Sequence, residues 1–327
     1  MPRRDAPVLP GRSSRFHFDT LTMDLRRLYV PIRNAILEGR TTVTLDSTFS
    51  ADDLMKVIES VLQDNPQAFW MRCGASMEVR GGITTLKLAK SGAYDAMERL
   101  KPMLKKMAED LYAKEVEGLR DPYDIEAAVH DHLASRIRYD DSDPTSAHDL
   151  TGPLLKGRGV CDGISSAMAF LLNSYGIESA VVTGKKRGGE GNHAWNVVKI
   201  GKEWYHSDLT FDMGQGGKGW TSHAYMNMDE RMASRTHEFV PDGRCRSMKD
   251  NYYVRKGAYF KTETDAEDYI RRKMKKGAVC ELYVEGAANA GAMMRAAASV
   301  CKYSSIACRY GGGRYAFGTA DAFMARK

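Results

Sequence analysis

Gly159-Val160-Cys161-Asp162-Gly163, followed by an apolar run to Tyr175-Gly176 and then by His193-Ala194-Trp195-Asn196 and His206-Ser207-Asp208, decides how this chain is read. The order predicts a cysteine at a helix start, a histidine at a strand start and an aspartate on the next strand. Together these supply a nucleophile, a base and an orienting carboxylate, the minimum for covalent acyl chemistry by a thiol. Only the thiolate attacks, so the sulfur must be made acidic. A helix start favours that, because its first amides are unbonded and its dipole end is positive. The Cys161 amide at the same terminus is placed to donate to an oxyanion. Gly159 and Gly163 are expected to let the chain turn tightly and a substrate approach, and Trp195, beside the base, is expected to line the acyl site.

Around this centre, a helix is predicted from Asp162 to Tyr175, burying Ile164, Met168, Leu171, Leu172 and Tyr175 and ending at Gly176. Strands follow at Ser179–Thr183, His193–Ile200 and Glu203–Thr210. Gly201-Lys202 between the last two is a two-residue hairpin signal. Counting back from that turn puts Trp195 opposite Asp208 and His193 one diagonal away on the same face. A one-residue slip would send Asp208 to the opposite face. The loop Gly184–Asn192 lacks the Gly-Lys-[Ser/Thr] ending of a phosphate loop and is expected to be a mobile flap beside His193.

Farther out, four segments are expected: a flexible leader (1–20), an amino-terminal α+β unit (21–117), a catalytic core (118–250) and a small carboxy-terminal α+β unit (251–327). The first unit reads as a strand at Thr41–Leu45, a helix opened by Ser50 and stopped by Asp64-Asn65-Pro66, strands at Ala68–Arg72 and Met77–Leu88, and a helix around Ala93–Val116. In the core, Asp121-Pro122 starts a helix with Ile125, Val129, Leu133 and Ile137 on one face. His130 and His132, two apart on that helix, read as surface and packing residues. The last unit reads strand (Ala258–Lys261), helix (Asp265–Lys275), strand (Ala278–Val284), helix (Ala290–Val300) and a strand pair around Gly311-Gly312-Gly313.

With 327 residues, 43% hydrophobic and 28% charged, the composition is that of a globular protein large enough for several cores. No apolar run approaches the ~20 residues of a membrane span. The start lacks the apolar stretch of a secretory signal, so a cytoplasmic location is expected. Basic clusters at Arg271–Lys276 and Lys185-Lys186-Arg187 are not interleaved with aromatics, so nucleic acid is not expected as a partner. Six scattered cysteines (Cys73, Cys161, Cys245, Cys280, Cys301, Cys308), without a Cys-x-x-Cys pair, argue against a zinc knot or dithiol motif. Most should be small buried hydrophobes.

The constellation resembles the transglutaminase-like superfamily, specifically its bacterial branch. The resemblance runs over about 120–215, through His130-Asp131-His132-Leu133 leading to Tyr139-Asp140, Gly159-Val160-Cys161-Asp162-Gly163, Gly176-Ile177, His193-Ala194-Trp195-Asn196, Trp204-Tyr205-His206 and Asp208-Leu209-Thr210. It implies an α+β, papain-like core in which the cysteine-bearing helix packs on an antiparallel sheet, with Cys161 as nucleophile, His193 as base and Asp208 as its partner. Asp64-Asn65-Pro66, Phe69-Trp70 and Asn251-Tyr252-Tyr253 resemble what flanks this core in bacterial members. Ile164 and Phe211 stand where the bacterial pattern carries an aromatic residue and a tryptophan, and both keep apolar bulk.

The function expected is thioester chemistry on peptide or carboxamide bonds, more readily ending in hydrolysis than in transamidation. A protein or peptide is the expected substrate, with no nucleic acid, membrane, metal or organic cofactor implied. Two alternatives stand beside it: a polypeptide-binding protein that keeps the core without turnover, and a metal-dependent hydrolase using His193, His206 and Asp208, with Cys161 as a conceivable fourth ligand.

Overall fold

A computed structural model describes residues 13–216, 220–274, 279–286, 289–300, 306–311 and 313–319. The chain forms two compact units, one made of residues 1–183 and 193–202, the other of 184–192 and 203–327. The middle segment expected over 118–250 is therefore shared between the two. Helices alternate with mainly antiparallel sheets, as the α+β reading requires.

In the first unit, helix α1 (Met23–Leu37) and strand β1 (Thr42–Leu45) precede α2 (Ala51–Asp64). The Ser50 Oγ caps α2 by accepting from the Asp53 N–H at 3.0 Å, and Leu54, Val57, Ile58 and Val61 are buried on one side. Strands β2 (Met71–Arg80) and β3 (Ile83–Lys90) form a hairpin and, with β1, an antiparallel sheet in the order β1-β3-β2. The stretch expected as strand over Met77–Leu88, joined in part through Gly81-Gly82, is divided between these two strands at that glycine pair. Gly81 and Gly82 take φ values of +55° and +80°, the pair of left-handed residues that a tight two-residue turn needs.

Helices α3 (Met97–Leu111) and α4 (Pro122–Arg136) follow, the latter capped by the Asp121 carboxylate, which accepts from the Tyr123 N–H at 3.0 Å. Short parallel strands β4 (Arg138–Tyr139) and β5 (Arg158–Gly159) lead to α5 (Cys161–Ser174), β6 (Ser179–Lys186) and β7 (Asn192–Ile200). Helix α5 is buried nearly all round from Gly163 onward, so it is a central helix rather than an amphipathic surface one. Asn173 locks its far end to β6, donating to the Ser179 C=O at 2.8 Å and accepting from the Ser179 N–H at 2.9 Å.

Residues 13–20, expected to belong to a flexible leader, are pinned. The Asp64 carboxylate accepts from the His17 N–H (3.0 Å), the Phe18 N–H (2.9 Å) and the Tyr29 hydroxyl (2.9 Å). Phe16 is buried, and the His17 ring bonds the Val181 C=O at 2.7 Å. Burial still dominates at Asp64 and pushes its carboxyl up to about 7. The rest of the leader, residues 1–12, lies outside the described residues, as do Lys275, Lys276, Cys301 and Gly312 of the sequence expectations.

The second unit holds β8 (Glu203–Ser207), α6 (Leu209–Gln215), α7 (Glu230–Ala233), β9 (His237–Glu238), α8 (Tyr252–Arg255), β10 (Tyr259–Phe260), α9 (Glu263–Met274), β11 (Cys280–Val284), α10 (Ala290–Ala298), β12 (Ile306–Gly311) and β13 (Arg314–Thr319). A sheet in the order β10-β11-β13-β12 packs α9 and α10 around Tyr253, Ile270, Leu282, Met293 and Phe317. The loop expected as a flap is largely tied down. Lys185 and Lys186 prolong β6 and pair with Glu238 and His237 of β9, and the Arg187 N–H donates to the Thr236 C=O at 2.8 Å. Among the described residues no helix is long and apolar enough to cross a membrane.

Candidate active site

Cys161 is the first residue of α5, and the residue before it, Val160, has no side chain able to cap the helix. The cap position therefore offers the first-turn amides no side-chain acceptor, and the Gly163 N–H donates instead to the Asp162 carboxylate at 3.0 Å. The thiol is half-buried and packs on Ala169 of α5, Val181 of β6 and Ala194 of β7. The cysteine-bearing helix thus lies against β7, the strand that carries His193. The Tyr139 hydroxyl accepts a hydrogen bond from the Cys161 amide, and burial together with the nearby Cys161 and Asp162 pushes that hydroxyl's pKa up. Asp162, next to Cys161, bonds the His148 ring at 2.9 Å.

Gly159 and Gly163 do not leave room for a substrate. A Cβ on Gly163 would lie 2.2 Å from the Ala147 C=O oxygen and 2.9 Å from that of Asp149, and one on Gly159 would lie 2.7 Å from Pro153. The loop before the helix fills that space, and the Val160 N–H donates to the Ala147 C=O at 3.0 Å. Both glycines are packing positions that set the sulfur's place through this loop. Gly163→Ala is expected to destabilise the protein by about 2–3 kcal/mol, since backbone rather than a flexible side chain must move. A urea melt checks this, and an unchanged midpoint would show that the loop gives way freely.

His193 is 1% exposed, and its ring stacks on Trp195 two residues along β7, with centroids 5.8 Å apart and planes at 22°. Trp195, expected to line the acyl site, is itself 1% exposed and supports the imidazole. After β7, Gly201 takes φ +64°, as the first central residue of a type II′ turn requires.

Asp208 departs from its expected place on a strand. Strand β8 ends at Ser207, and Asp208 is the N-cap of α6, its Oδ1 accepting from the Phe211 N–H at 3.0 Å. Aspartate is favoured there because its side chain satisfies an otherwise unbonded helix amide. Its other oxygen, Oδ2, is 2.8 Å from Nε2 of His237, and both side chains are fully buried. Cys161 and His193 belong to the first unit, Asp208 and His237 to the second.

His206, proposed from the sequence as a possible metal ligand, packs on Phe239 at 4.6 Å between centroids. Burial, assisted by His237, pushes its pKa down to about 3, so it is a neutral packing group. Within the second unit, among the described residues, no cluster of three metal-capable side chains includes it. Below pH 6.5 the unfolded chain protonates this histidine while the folded chain does not. Stability should therefore fall as pH drops from 6.5 toward 3, by up to about 1.4 kcal/mol per pH unit from this group. Urea midpoints against pH for wild type and His206→Leu test it: the leucine variant should lose part of the acid slope, and identical slopes would contradict the assignment.

Among the other described thiols, burial pushes Cys280 and Cys308 up to about 12 and raises Cys245 and the exposed Cys73 as well. Sequence reasoning missed Tyr139, His148 and His237. Tyr139 stood inside a recognisable motif, whereas the other two carry no local signal.

Residues 110–209 match the transglutaminase-like superfamily. A comparison with the curated proteins finds no match. Among solved structures, the chain is similar to a transglutaminase at 17% identity, covering 52% of this chain and 50% of that one, with a TM-score of 0.29. It is also similar to the periplasmic domain of TgpA from Pseudomonas aeruginosa bound to ethylmercury, at 20% identity over 39% of this chain and 55% of that one, with a TM-score of 0.27. The chain thus spans about half the length of the structures it matches. Residues 110–209 carry a transglutaminase-like core, with Cys161, His193 and Asp208 all inside the matched segment.

Proposed function

We propose that this protein is a cysteine-dependent acyl-transfer enzyme acting on peptide or carboxamide bonds of a protein or peptide. Cys161, as thiolate, attacks the carbonyl carbon and forms a C–S bond, with the Cys161 amide exchanging the Tyr139 hydroxyl for the oxyanion as its acceptor. His193, having taken the thiol proton, gives it to the leaving nitrogen as the C–N bond breaks. Asp208 holds the imidazole in the productive tautomer and stabilises its cation. A second acceptor, deprotonated by His193, then opens the thioester and restores the thiol.

The observation that carries this reading is the half-buried Cys161 at the start of a 14-residue central helix whose cap position offers no side-chain acceptor, packed against the strand that carries His193. Water is proposed as the usual acceptor, because the thiol is partly open to solvent and excluding water takes a dedicated enclosure. The test is mass spectrometry of a peptide library incubated with wild type and Cys161→Ala. Cleaved peptides, a gain of about 1 Da at glutamine, or joined peptides would identify peptidase, deamidase or transamidase chemistry. Identical spectra for both proteins across the library would contradict the proposal.

A further inference from the structure

We propose that His237 is a positioning residue for this reaction, donating from Nε2 to Asp208 and so keeping that carboxylate ionised and oriented toward its task. The inference rests on the proposed role of Asp208. Its geometric basis lies within the second unit. The Nε2–Oδ2 separation is 2.8 Å, and neither side chain has any exposed surface. The other Asp208 oxygen is taken by the Phe211 amide, so the carboxylate is held at both ends. The imidazole is fixed in turn. Its Nδ1 lies 3.0 Å from the Thr236 hydroxyl and 3.2 Å from the Ala233 C=O. With the Thr236 hydroxyl donating to Nδ1, a neutral ring carries its hydrogen on Nε2, where an ionised Asp208 accepts it.

The setting makes a packing role alone costly. His237 stands in a two-residue strand, stacked on Phe211 at 4.8 Å and edge-on to Tyr225 at 6.3 Å. An apolar side chain would fill that place without desolvating two ring nitrogens. A buried carboxylate, by contrast, stays charged only when donors replace the water it has lost. Two titratable groups beside the pair carry no charge near pH 7. Burial pushes His206 down to about 3 and raises Tyr225, so both are neutral near pH 7, while Lys186 is its partner across the strand ladder.

The experiment is the pH dependence of Cys161 alkylation by iodoacetamide, followed by peptide mapping, in wild type, His237→Phe, His237→Gln and His237→Asn. Glutamine places an amide N–H near Nε2, whereas asparagine reaches only as far as Nδ1. Phenylalanine and asparagine should shift the Cys161 profile to higher pH and slow alkylation at pH 6 by about tenfold, one pH unit of thiolate population. Glutamine should restore the wild-type profile to within about threefold. A purely structural histidine would lower thermal stability in all three variants and leave the profile in place; that result, with wild-type Cys161 still fast, overturns the role of His237 alone. If wild-type Cys161 reacts no faster than Cys73, the triad itself fails and His237 loses its role with it.

Discussion

Asp208→Ala should be the most destabilising substitution in the candidate site, costing about 3–5 kcal/mol. The carboxylate is fully buried, and its loss strands two donors: the Phe211 amide at the start of α6 and Nε2 of His237. The helix cap alone is worth about 1–2 kcal/mol, and an unpaired buried imidazole N–H adds a desolvation penalty of similar or larger size. Asp208→Asn separates stability from chemistry. Its amide oxygen still caps α6, and its NH2 can face His237 if that ring moves its hydrogen to Nδ1, where the Ala233 C=O accepts it. The asparagine variant should therefore keep most of the stability while losing turnover by up to ~10⁴-fold, because the imidazole no longer has its anionic partner. Urea melts together with turnover of whichever peptide the library identifies check both halves. An Asp208→Ala protein with wild-type stability would refute the cap and pair, and an active Asp208→Asn would refute the orienting role.

Cys161→Ala should abolish turnover, by about a thousandfold or more, with the fold retained. Removing the nucleophile of a unit that acts together costs nearly as much as removing the whole unit. The structural cost is small, because the half-buried side chain packs on Ala169, Val181 and Ala194 and alanine keeps its Cβ. Matching circular dichroism spectra and melting curves for the two proteins, with product formed by the wild type alone, are the expected result. Retained turnover in Cys161→Ala would place the chemistry elsewhere.

The elements most legible in the sequence are those with chemical punctuation at their ends. Ser50 and the Asp64-Asn65-Pro66 stop bracket α2, Asp121-Pro122 starts α4, and Gly176 at φ +81° ends α5. The central helix and its cysteine were readable for the same reason, since an apolar run of this length between glycines has few other solutions. Asp208 was harder. Trp204-Tyr205-His206 runs on into Ser207-Asp208-Leu209-Thr210 with no glycine or proline to mark the end of the strand. The glycines around Cys161 were assigned to a substrate because nothing local shows that the carbonyls of Ala147 and Asp149 return to fill their space. The exchange of chain between units at 184–192 and 203 falls on the glycine-rich run Gly184–Asn192 and just after Gly201-Lys202, which read locally as a loop and a hairpin turn rather than as passages to another unit. His237 was invisible because a two-residue strand has no periodicity, and its partner lies 29 positions away in sequence.

Selective alkylation is the most direct measure of whether Cys161 is an activated nucleophile. At pH 6, with limiting iodoacetamide and peptide mapping, wild-type Cys161 should react at least about tenfold faster than the exposed Cys73, whose thiol is pushed up by burial and Glu59. His193→Ala should erase that preference while leaving Cys73 unchanged. Equal labelling of Cys161 and Cys73 in the wild-type protein, or a preference that survives His193→Ala, would contradict the thiolate–imidazolium pair on which the proposed chemistry depends.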